Sequence, residues 1–123
     1  MAKYVDGFVF TVPEKNLSIY KKMAKEASVV WKKFGALDYK ECRANNLSPD
    51  MHGMKAWSFP KMVKPKQGEE IWFSFIVYKS KKDRDAVNKK VMEYFNKKYA
   101  NVEMKMPFDM KRFCTAGFTV EVE

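Results

Sequence analysis

The stretch "IWFSFIVYKS", residues 71–80, decides the fold, because it carries the strongest β-strand signal in the chain. From Ile71 to Tyr78 nearly every residue is β-branched or aromatic, and these types favour extended structure. Alternate positions assign Ile71, Phe73, Phe75 and Val77 to one face, and Trp72, Ser74, Ile76 and Tyr78 to the other. A strand that is apolar on both faces is typical of the middle of a covered sheet. We therefore predict a central strand here, and the rest of the fold must supply cover for its faces.

One helix is predicted directly after this strand and another near the start of the chain. Ser80 and Asp83 form a capping-box-like pair that opens the later helix. The earlier helix follows Pro13, which suits a first turn, and stops before Gly35, which suits the position just past a last turn. Apolar residues recur at spacings of three and four in both segments, so each helix buries one stripe. The stripes are Leu17, Tyr20, Met23, Ala24, Ala27, Val30, Trp31 and Phe34, and then Ala86, Val87, Val91, Tyr94 and Phe95.

Further strands are predicted from Tyr4 to Val12, from Leu37 to Arg43 and from Phe113 to Val122. Trp57 to Val63 is also predicted to be extended, although Pro60 cannot donate to a ladder and restricts it to an edge or bulged strand. A polar turn around Gly68 then joins it to the central strand as a hairpin. Residues 45–56, "NNLSPDMHGMKA", are predicted to form a methionine-bearing loop.

We take the order as βαββαβ with the hairpin at its centre, which leaves one of the five extended segments outside the sheet. This order predicts an α+β fold of the ferredoxin-like plait type, with two helices on one face of a four-stranded, mainly antiparallel sheet. A length of 123 residues suits a single domain spanning residues 1–123. Helices on only one face would leave a large apolar patch on the other. We therefore predict a homodimer, sheet face against sheet face about a two-fold axis, which forms a dimeric α/β barrel.

Composition argues against several classes of protein. The start of the chain lacks a signal-peptide pattern and no apolar run could span a bilayer, so we expect a soluble, cytoplasmic protein without a membrane partner. Cys42 and Cys114 lie far apart without metal-ligand spacing, which predicts reduced, buried thiols. A formal charge of +9 raises nucleic acid as a partner. The lysines, however, fall mainly on the polar sides of the helices and arginines are few, which argues against specific nucleic-acid binding.

Three polar side chains on the strands are candidates for a ligand site in a cleft. Asp6 shares a strand face with aromatic residues, where a carboxylate is costly to bury unless it is paired. Glu41 poses the same question on the face that it shares with Tyr39. One interpretation makes these carboxylates a general base or a binding anion. The other, which we favour, is a salt bridge to Arg112 or Lys111.

The stretch "MPFDMKRF", residues 106–113, supplies the remaining candidates. Pro107 keeps the preceding residue out of a helix, Asp109 suits the acceptor of turn hydrogen bonds, and Phe108 and Phe113 can anchor both ends in the core. The plain interpretation is a chain turn that enters the last strand. The sharper one places Asp109 and Arg112 at the mouth of a cleft.

Metal and cofactor chemistry has little support in the sequence. Met51, His52 and Met54, with Met104, Met106 and Met110, raise a soft-metal hypothesis, because thioether and imidazole groups suit Cu(I). Methionine is more often a flexible filler of cores and interfaces. Neither a catalytic triad spacing around His52 nor a glycine-rich phosphate loop is present. We predict no metal and no cofactor.

Four motifs resemble a known family in order along the chain. They are "YVDGFVF" at residues 4–10, "VWKKFGALDYKEC" at 30–42, "FSFIVYKSKKDRDAVNKKVM" at 73–92, and "MPFDMKRF" at 106–113 with a following Gly-Phe pair. This set resembles the YbaA-like family of small bacterial proteins of unknown function. The resemblance implies a dimeric α/β barrel of ferredoxin-like type and brings no catalytic residues with it.

The leading functional hypothesis is therefore a dimeric protein that binds a small, partly apolar molecule in a cleft. Its enzymatic form is a cofactor-free oxygenase or isomerase, with Asp6, Tyr39, Glu41, Asp109 and Arg112 as candidate contacts. The alternative is a non-catalytic structural or regulatory dimeric module without an open cavity.

Overall fold

The computed structural model describes residues 1–103 and 105–123, so that Met104, one of the methionines in the soft-metal hypothesis, lies outside the described residues. Its centre is an antiparallel four-stranded sheet in the order β2–β3–β1–β4. The strands are β1 (Tyr4–Pro13), β2 (Asp38–Arg43), β3 (Glu69–Tyr78) and β4 (Cys114–Thr119). The strand around residues 71–78 is central, as predicted, because β2 and β1 flank it.

Two long helices, α1 (Leu17–Lys33) and α3 (Lys81–Lys98), pack on one face of the sheet. The capping prediction is confirmed, since the Ser80 hydroxyl accepts a hydrogen bond from the Asp83 backbone N–H at 3.1 Å. Gly35 follows α1 with a φ of 122°, a left-handed conformation that glycine adopts at low cost. The α+β plait predicted from the order of elements is therefore present.

The core lies between this face and the helices and forms two clusters. One surrounds Ile76 and Tyr78 and receives Val87 and Val91 from α3. The other surrounds Phe10 and Trp72 and receives Tyr20 and Ala24 from α1. Aromatic rings fill the space between the clusters, and Phe8 packs against both.

The predicted strand at Trp57 to Val63 is wrong, and with it the hairpin that was to join this segment to β3. Residues Phe59–Val63 form a short helix, α2. The Ser58 side chain caps it by accepting from the Lys61 N–H at 3.3 Å. Pro60 lies in the first turn, where its missing N–H removes no helical hydrogen bond. The last strand is also shorter than predicted, since β4 ends at Thr119.

The second face of the sheet carries no long helix and is called the open face here. Phe73 is 44% exposed and Phe118 is 56% exposed on it. The prediction of buried thiols is wrong, because Cys42 and Cys114 are both free and exposed on this face. In the parts of the chain that the structure describes, every helix is too short or too polar to span a lipid bilayer.

Candidate functional site

The five candidate side chains fall into three groups on the described part of the chain. Tyr39 and Glu41 meet at the β2 edge of the covered face, and Asp109 and Arg112 meet just before β4. Asp6 lies apart from both pairs, on β1.

Glu41 is held by two tyrosine hydroxyls. Its Oε1 accepts from the Tyr20 hydroxyl at 2.8 Å, and its Oε2 accepts from the Tyr39 hydroxyl at 2.7 Å. Tyr20 reaches this strand because it lies on the buried stripe of α1, whereas Tyr39 shares a strand face with Glu41. The predicted cation partners are wrong, since within the described residues Glu41 forms no salt bridge. The Glu41 carboxyl therefore lies between two neutral hydrogen-bond donors.

Burial without a cation sets the titration of this group. Desolvation raises the pKa of the Glu41 carboxyl, and hydrogen bonds from Tyr39, Tyr20 and Ser74 offset only part of that rise. Burial, followed by the nearby Glu41 charge, also raises the pKa of both tyrosines. The group can therefore hold a proton at a higher pH than an ordinary glutamate, which is a property that acid–base chemistry uses.

Asp6 is 4% exposed and pairs with Arg84 of α3, whose Nε lies 2.8 Å from its Oδ2. The salt-bridge interpretation of Asp6 is thus present with a different partner from the two predicted. Arg84 comes from the first turn of α3 and also contacts the neighbouring Asp85 at 3.2 Å. Because Asp6 lies on β1 and Arg84 lies in the first turn of α3, this pair joins the two elements.

A neutral network lies beside this ion pair. The Trp31 indole N–H donates to the Tyr78 hydroxyl at 3.1 Å and to Asn88 Oδ1 at 3.0 Å, and the Tyr78 hydroxyl donates to the same Asn88 oxygen at 3.0 Å. Burial, then the Asp6 charge, raises the pKa of Tyr78. The network satisfies polar groups inside the first core cluster.

Arg112 is the centre of the third group. Its guanidinium makes a bidentate contact with Glu69, 2.6 Å on each arm, and its Nε donates to Asp109 at 3.0 Å. Hydrogen bonds from Arg112 hold the pKa values of Glu69 and Asp109 below their usual range. Asp109 also accepts from the Lys111 N–H at 3.0 Å, so the predicted turn role is confirmed.

The neighbouring phenylalanines anchor this turn in the core. The rings of Phe108 and Phe113 stack with centroids 5.3 Å apart, and Phe108 also packs against Phe10 at 5.2 Å. Asn16 ties the turn to the start of α1 by donating to the Pro107 carbonyl at 2.9 Å. The stretch "MPFDMKRF" therefore forms the chain turn of the plain interpretation, and the same turn lines a cleft, as the sharper interpretation requires.

That cleft has a volume of about 420 Å³ and is open to solvent. Its apolar lining comes from Pro13, Met106, Pro107 and Phe108, and its charged lining comes from Lys15, Lys66, Glu69, Lys105, Asp109 and Arg112. Four of these charged groups are cations and two are anions. A smaller hollow of about 150 Å³ lies on the open face beside α2.

The loop residues of the soft-metal hypothesis lie in one turn, in which the Met54 N–H donates to the Met51 carbonyl at 3.1 Å. Met51, His52 and Met54 are exposed, and His52 Nδ1 lies 3.9 Å from Asp50. Over residues 1–103 and 105–123, no three histidine, cysteine or acidic side chains cluster in a way that could hold a metal ion.

Sequence reasoning missed three residues that define these groups. Tyr20 appeared only as part of an apolar stripe, and its spacing gave no sign that the hydroxyl meets Glu41. Arg84 and Glu69 are ordinary surface types by sequence. Their roles depend on contacts 78 and 43 positions apart, with Asp6 and Arg112 respectively, which local spacing does not reveal.

Comparison with known proteins finds clear relatives. Residues 3–110 match a family model described as protein of unknown function (DUF1428). The chain is 42% identical over 116 residues to the uncharacterized protein YbaA of Escherichia coli (strain K12), with 94% of both chains covered. The YbaA protein of Shigella flexneri matches at the same identity and coverage.

Among solved structures, a dimeric ferredoxin-like protein from an uncultured marine organism covers 100% of this chain, and this chain covers 97% of it. The TM-score is 0.58 and the sequence identity is 11%. At that identity the likeness shows a shared fold alone.

Proposed function

This chain belongs to the DUF1428 family of proteins of unknown function, and from that premise we propose that it is a homodimeric protein that binds a small, partly apolar anion. The proposed ligand site is the cleft beside Asp109 and Arg112. The observation that carries the proposal is the excess of cations over anions beside apolar side chains in the lining of a hollow of about 420 Å³.

The proposed dimer rests on the open face. Side chains such as Phe73 and Phe118 leave an apolar surface of a kind that monomers rarely expose as a continuous patch. The marine protein of similar fold is described as dimeric, which supports a dimer here. We expect sedimentation at micromolar concentration to give twice the monomer mass of 14.5 kDa, and a monomer mass would overturn this part of the proposal.

The charge of the cleft selects the class of ligand. Arg112 is already neutralised by its bidentate contact with Glu69, and Asp109 offsets one further charge. Lys15, Lys66 and Lys105 supply the other three positive charges, so the four cations and two anions of the lining leave a net charge of +2 around the hollow. The volume is within the range of small-molecule pockets, about 300–1,000 Å³. A carboxylate or phosphate group attached to an apolar body therefore fits the lining best.

Thermal unfolding against matched compounds tests this site. Benzoate, phenylacetate and phenyl phosphate should raise the melting temperature, whereas benzamide and benzylamine, which share the ring but not the negative charge, should not. Titration calorimetry should then show that Lys66→Glu weakens binding of the best anion about tenfold or more, since it reverses a charge in the lining.

Lys89→Glu is the matched control for that variant, because it reverses an exposed lysine of α3 outside the cleft. It should bind the anion as the wild type does. Equal losses in both variants would indicate a general charge effect, and an absence of stabilisation by every anion tested would overturn the proposed site.

A catalytic form of the proposal, a cofactor-free oxygenase or isomerase, would use Glu41 as its base in a second site at the β2 edge, because Glu41 does not line the cleft beside Asp109 and Arg112. The raised pKa of that carboxyl supports the role. Both Glu41 oxygens already accept tyrosine hydrogen bonds, so one of these tyrosines must yield to substrate. Turnover of an identified ligand that Glu41→Gln abolishes while binding persists would support the catalytic form. Equal turnover in both proteins would overturn it.

The second candidate function is a non-catalytic structural or regulatory module. It is favoured by the space between sheet and helices, which aromatic side chains of both core clusters occupy. A stable dimer that no compound in the panel stabilises would support this candidate over the binding function.

A further inference from the structure

Residues 45–62 form a segment, called the arm here, that leaves β2 and ends in α2. The arm exposes six large apolar side chains, which are Leu47, Met51, Met54, Trp57, Phe59 and Met62. Trp57 is 71% exposed and Met54 is 70% exposed. Single exposed apolar residues are common on protein surfaces, but a concentrated set within one short segment marks an interaction surface.

The arm continues the apolar surface of the open face. Its helix α2 packs against β1 and β3, and Val63 is buried at the end of this helix. Leu47 and Phe59 of the arm line the 150 Å³ hollow together with Cys42 and Phe73 of the sheet. The hollow, which Arg43 and Asn46 also line, therefore joins the two surfaces at this point.

The open face by itself is small for a stable interface. The pairing register leaves three rows open across the four strands, which are Asp38–Val77–Val5–Phe118, Lys40–Phe75–Gly7–Ala116 and Cys42–Phe73–Val9–Cys114. With strands ~4.8 Å apart and rows ~6.8 Å apart, their footprint is about 400 Å². Stable protein interfaces bury about 800 Å² on each partner. A second surface of similar size must contribute.

Charge favours the arm as that second surface. The chain carries a net charge of +9, so two copies repel one another over most of their surfaces. Within the arm only Asp50, Lys55 and Lys61 are charged residues. The arm is therefore among the surfaces that two copies can bring together at the lowest electrostatic cost.

We propose that the arm of each protomer packs against the partner protomer beside the paired open faces, with Trp57 as its principal anchor. This inference rests on the proposed homodimer and identifies what completes its interface. A two-fold axis makes the contact reciprocal, so the arm contact occurs twice in the assembly. Aromatic side chains, tryptophan above all, dominate the energetics of such interfaces.

Sedimentation of the full chain over a dilution series tests the arm. Replacing both anchors, Met54→Ser with Trp57→Ser, should raise the dimer dissociation constant about 30-fold or more. Ile19→Ser is the matched control, since it removes an exposed apolar side chain from α1, outside the arm and the open face. It should leave the dissociation constant unchanged.

A variant of the open face, Phe118→Asp, tests the dimer independently of the arm. If Phe118→Asp dissociates the dimer while the arm variant sediments as the wild type, the arm inference is overturned and the dimer stands. If the wild type is itself monomeric, the proposed homodimer fails first. Because both arm side chains are largely exposed, the circular dichroism of the variant should match the wild type.

Tryptophan fluorescence provides a second measurement that does not depend on destabilising the dimer. On dilution through dissociation, the wild-type emission should move to longer wavelength as Trp57 enters water, and Trp57→Phe should show no such shift. Dissociation without a shift in the wild type would also overturn the inference.

Discussion

Glu41 and Glu69 lie on adjacent strands of one sheet, yet the protein treats their charges in opposite ways. Glu69, with 8% of its side chain exposed, faces the Arg112 guanidinium. Glu41 is partly buried and receives only the hydroxyls of Tyr20 and Tyr39. The pKa of Glu69 is lowered, chiefly by the Arg112 hydrogen bonds, whereas desolvation raises the pKa of Glu41. Burial without a cation favours the protonated carboxyl at Glu41, and a cation partner favours the carboxylate at Glu69.

The two arrangements suit different tasks. The Glu69–Arg112 pair joins the start of β3 to the turn before β4, and Arg112 also donates to the Lys64 carbonyl at 3.4 Å. This pair gives the cleft a fixed wall. In the Glu41 cluster, by contrast, neutral tyrosine hydroxyls bind the carboxyl and do not neutralise its charge. A proton can therefore enter or leave at Glu41 at a smaller structural cost than at Glu69.

The largest effect is expected from Arg112→Met, which keeps side-chain length but removes the cation from Glu69. The buried Glu69 carboxylate loses its bidentate partner and keeps only the Lys66 N–H and the weaker Lys66 charge, so we expect a loss of about 2–3 kcal/mol in the free energy of unfolding. Urea denaturation at pH 7 measures it. Lys111→Met, which removes an exposed neighbouring cation, is the control and should change stability little. Equal stability of both variants would show that the Arg112 contact with Glu69 does not contribute to the free energy of unfolding.

The next effect is expected from removing the hydroxyl donors of Glu41 one at a time. Tyr20→Phe should cost about 1–2 kcal/mol of unfolding free energy, because water cannot easily replace a donor at a buried site. Tyr39→Phe should cost less, since Tyr39 is only half-buried. A double-mutant cycle with Glu41→Gln should show coupling for both tyrosines. Independent, additive effects would indicate that the hydroxyls do not act through Glu41.

The pH dependence of stability should differ in sign between the two carboxyls. A raised folded pKa means that the folded state holds the Glu41 proton more tightly. Its contribution to stability is therefore fully present below the unfolded value of 4.5 and is lost as pH rises through the folded pKa. The lowered pKa of Glu69 gives a contribution that is present above 4.5 and is lost as pH falls through the folded value.

Chemical denaturation from pH 2 to pH 8 checks this contrast with two isosteric variants. Relative to the wild type, Glu41→Gln should become more stable as pH rises, whereas Glu69→Gln should become relatively more stable as pH falls. Parallel profiles for the two variants would contradict the assignment of opposite partners. The expected amplitude is smaller than the losses above, because glutamine preserves the shape of each site.

The sequence predicted the framework of the fold far better than the partners of its charged groups. β1, α1 and α3 follow from strong periodicity and from a cap that acts over three residues, Ser80 to Asp83. The segment Trp57 to Val63 was mispredicted because Pro60 is compatible with both an edge strand and a first helical turn. Only the hydroxyl of Ser58 at the cap decides between them.

The ionic partners could not be predicted in the same way. Asp6 meets Arg84, and Glu41 meets Tyr20, only after helices pack on the sheet at a particular register. Composition gives the number of charges, but the packing decides which of them meet. By contrast, Asp109 and Arg112 were placed together correctly because their contact spans three residues of chain.

The smallest effect is expected at Asp109, the exposed member of the Arg112 group. Asp109→Asn keeps the oxygen that accepts from the Lys111 N–H but removes the charge facing Arg112. Solvent screens that charge and Glu69 still neutralises Arg112, so stability should fall by less than in any variant above. If the cleft binds anions, the same change should tighten their binding, because it removes a negative charge from the lining. Calorimetry with the best anion measures this gain in affinity. Weaker binding would show instead that Asp109 positions the residues of the cleft through its hydrogen bonds in the turn.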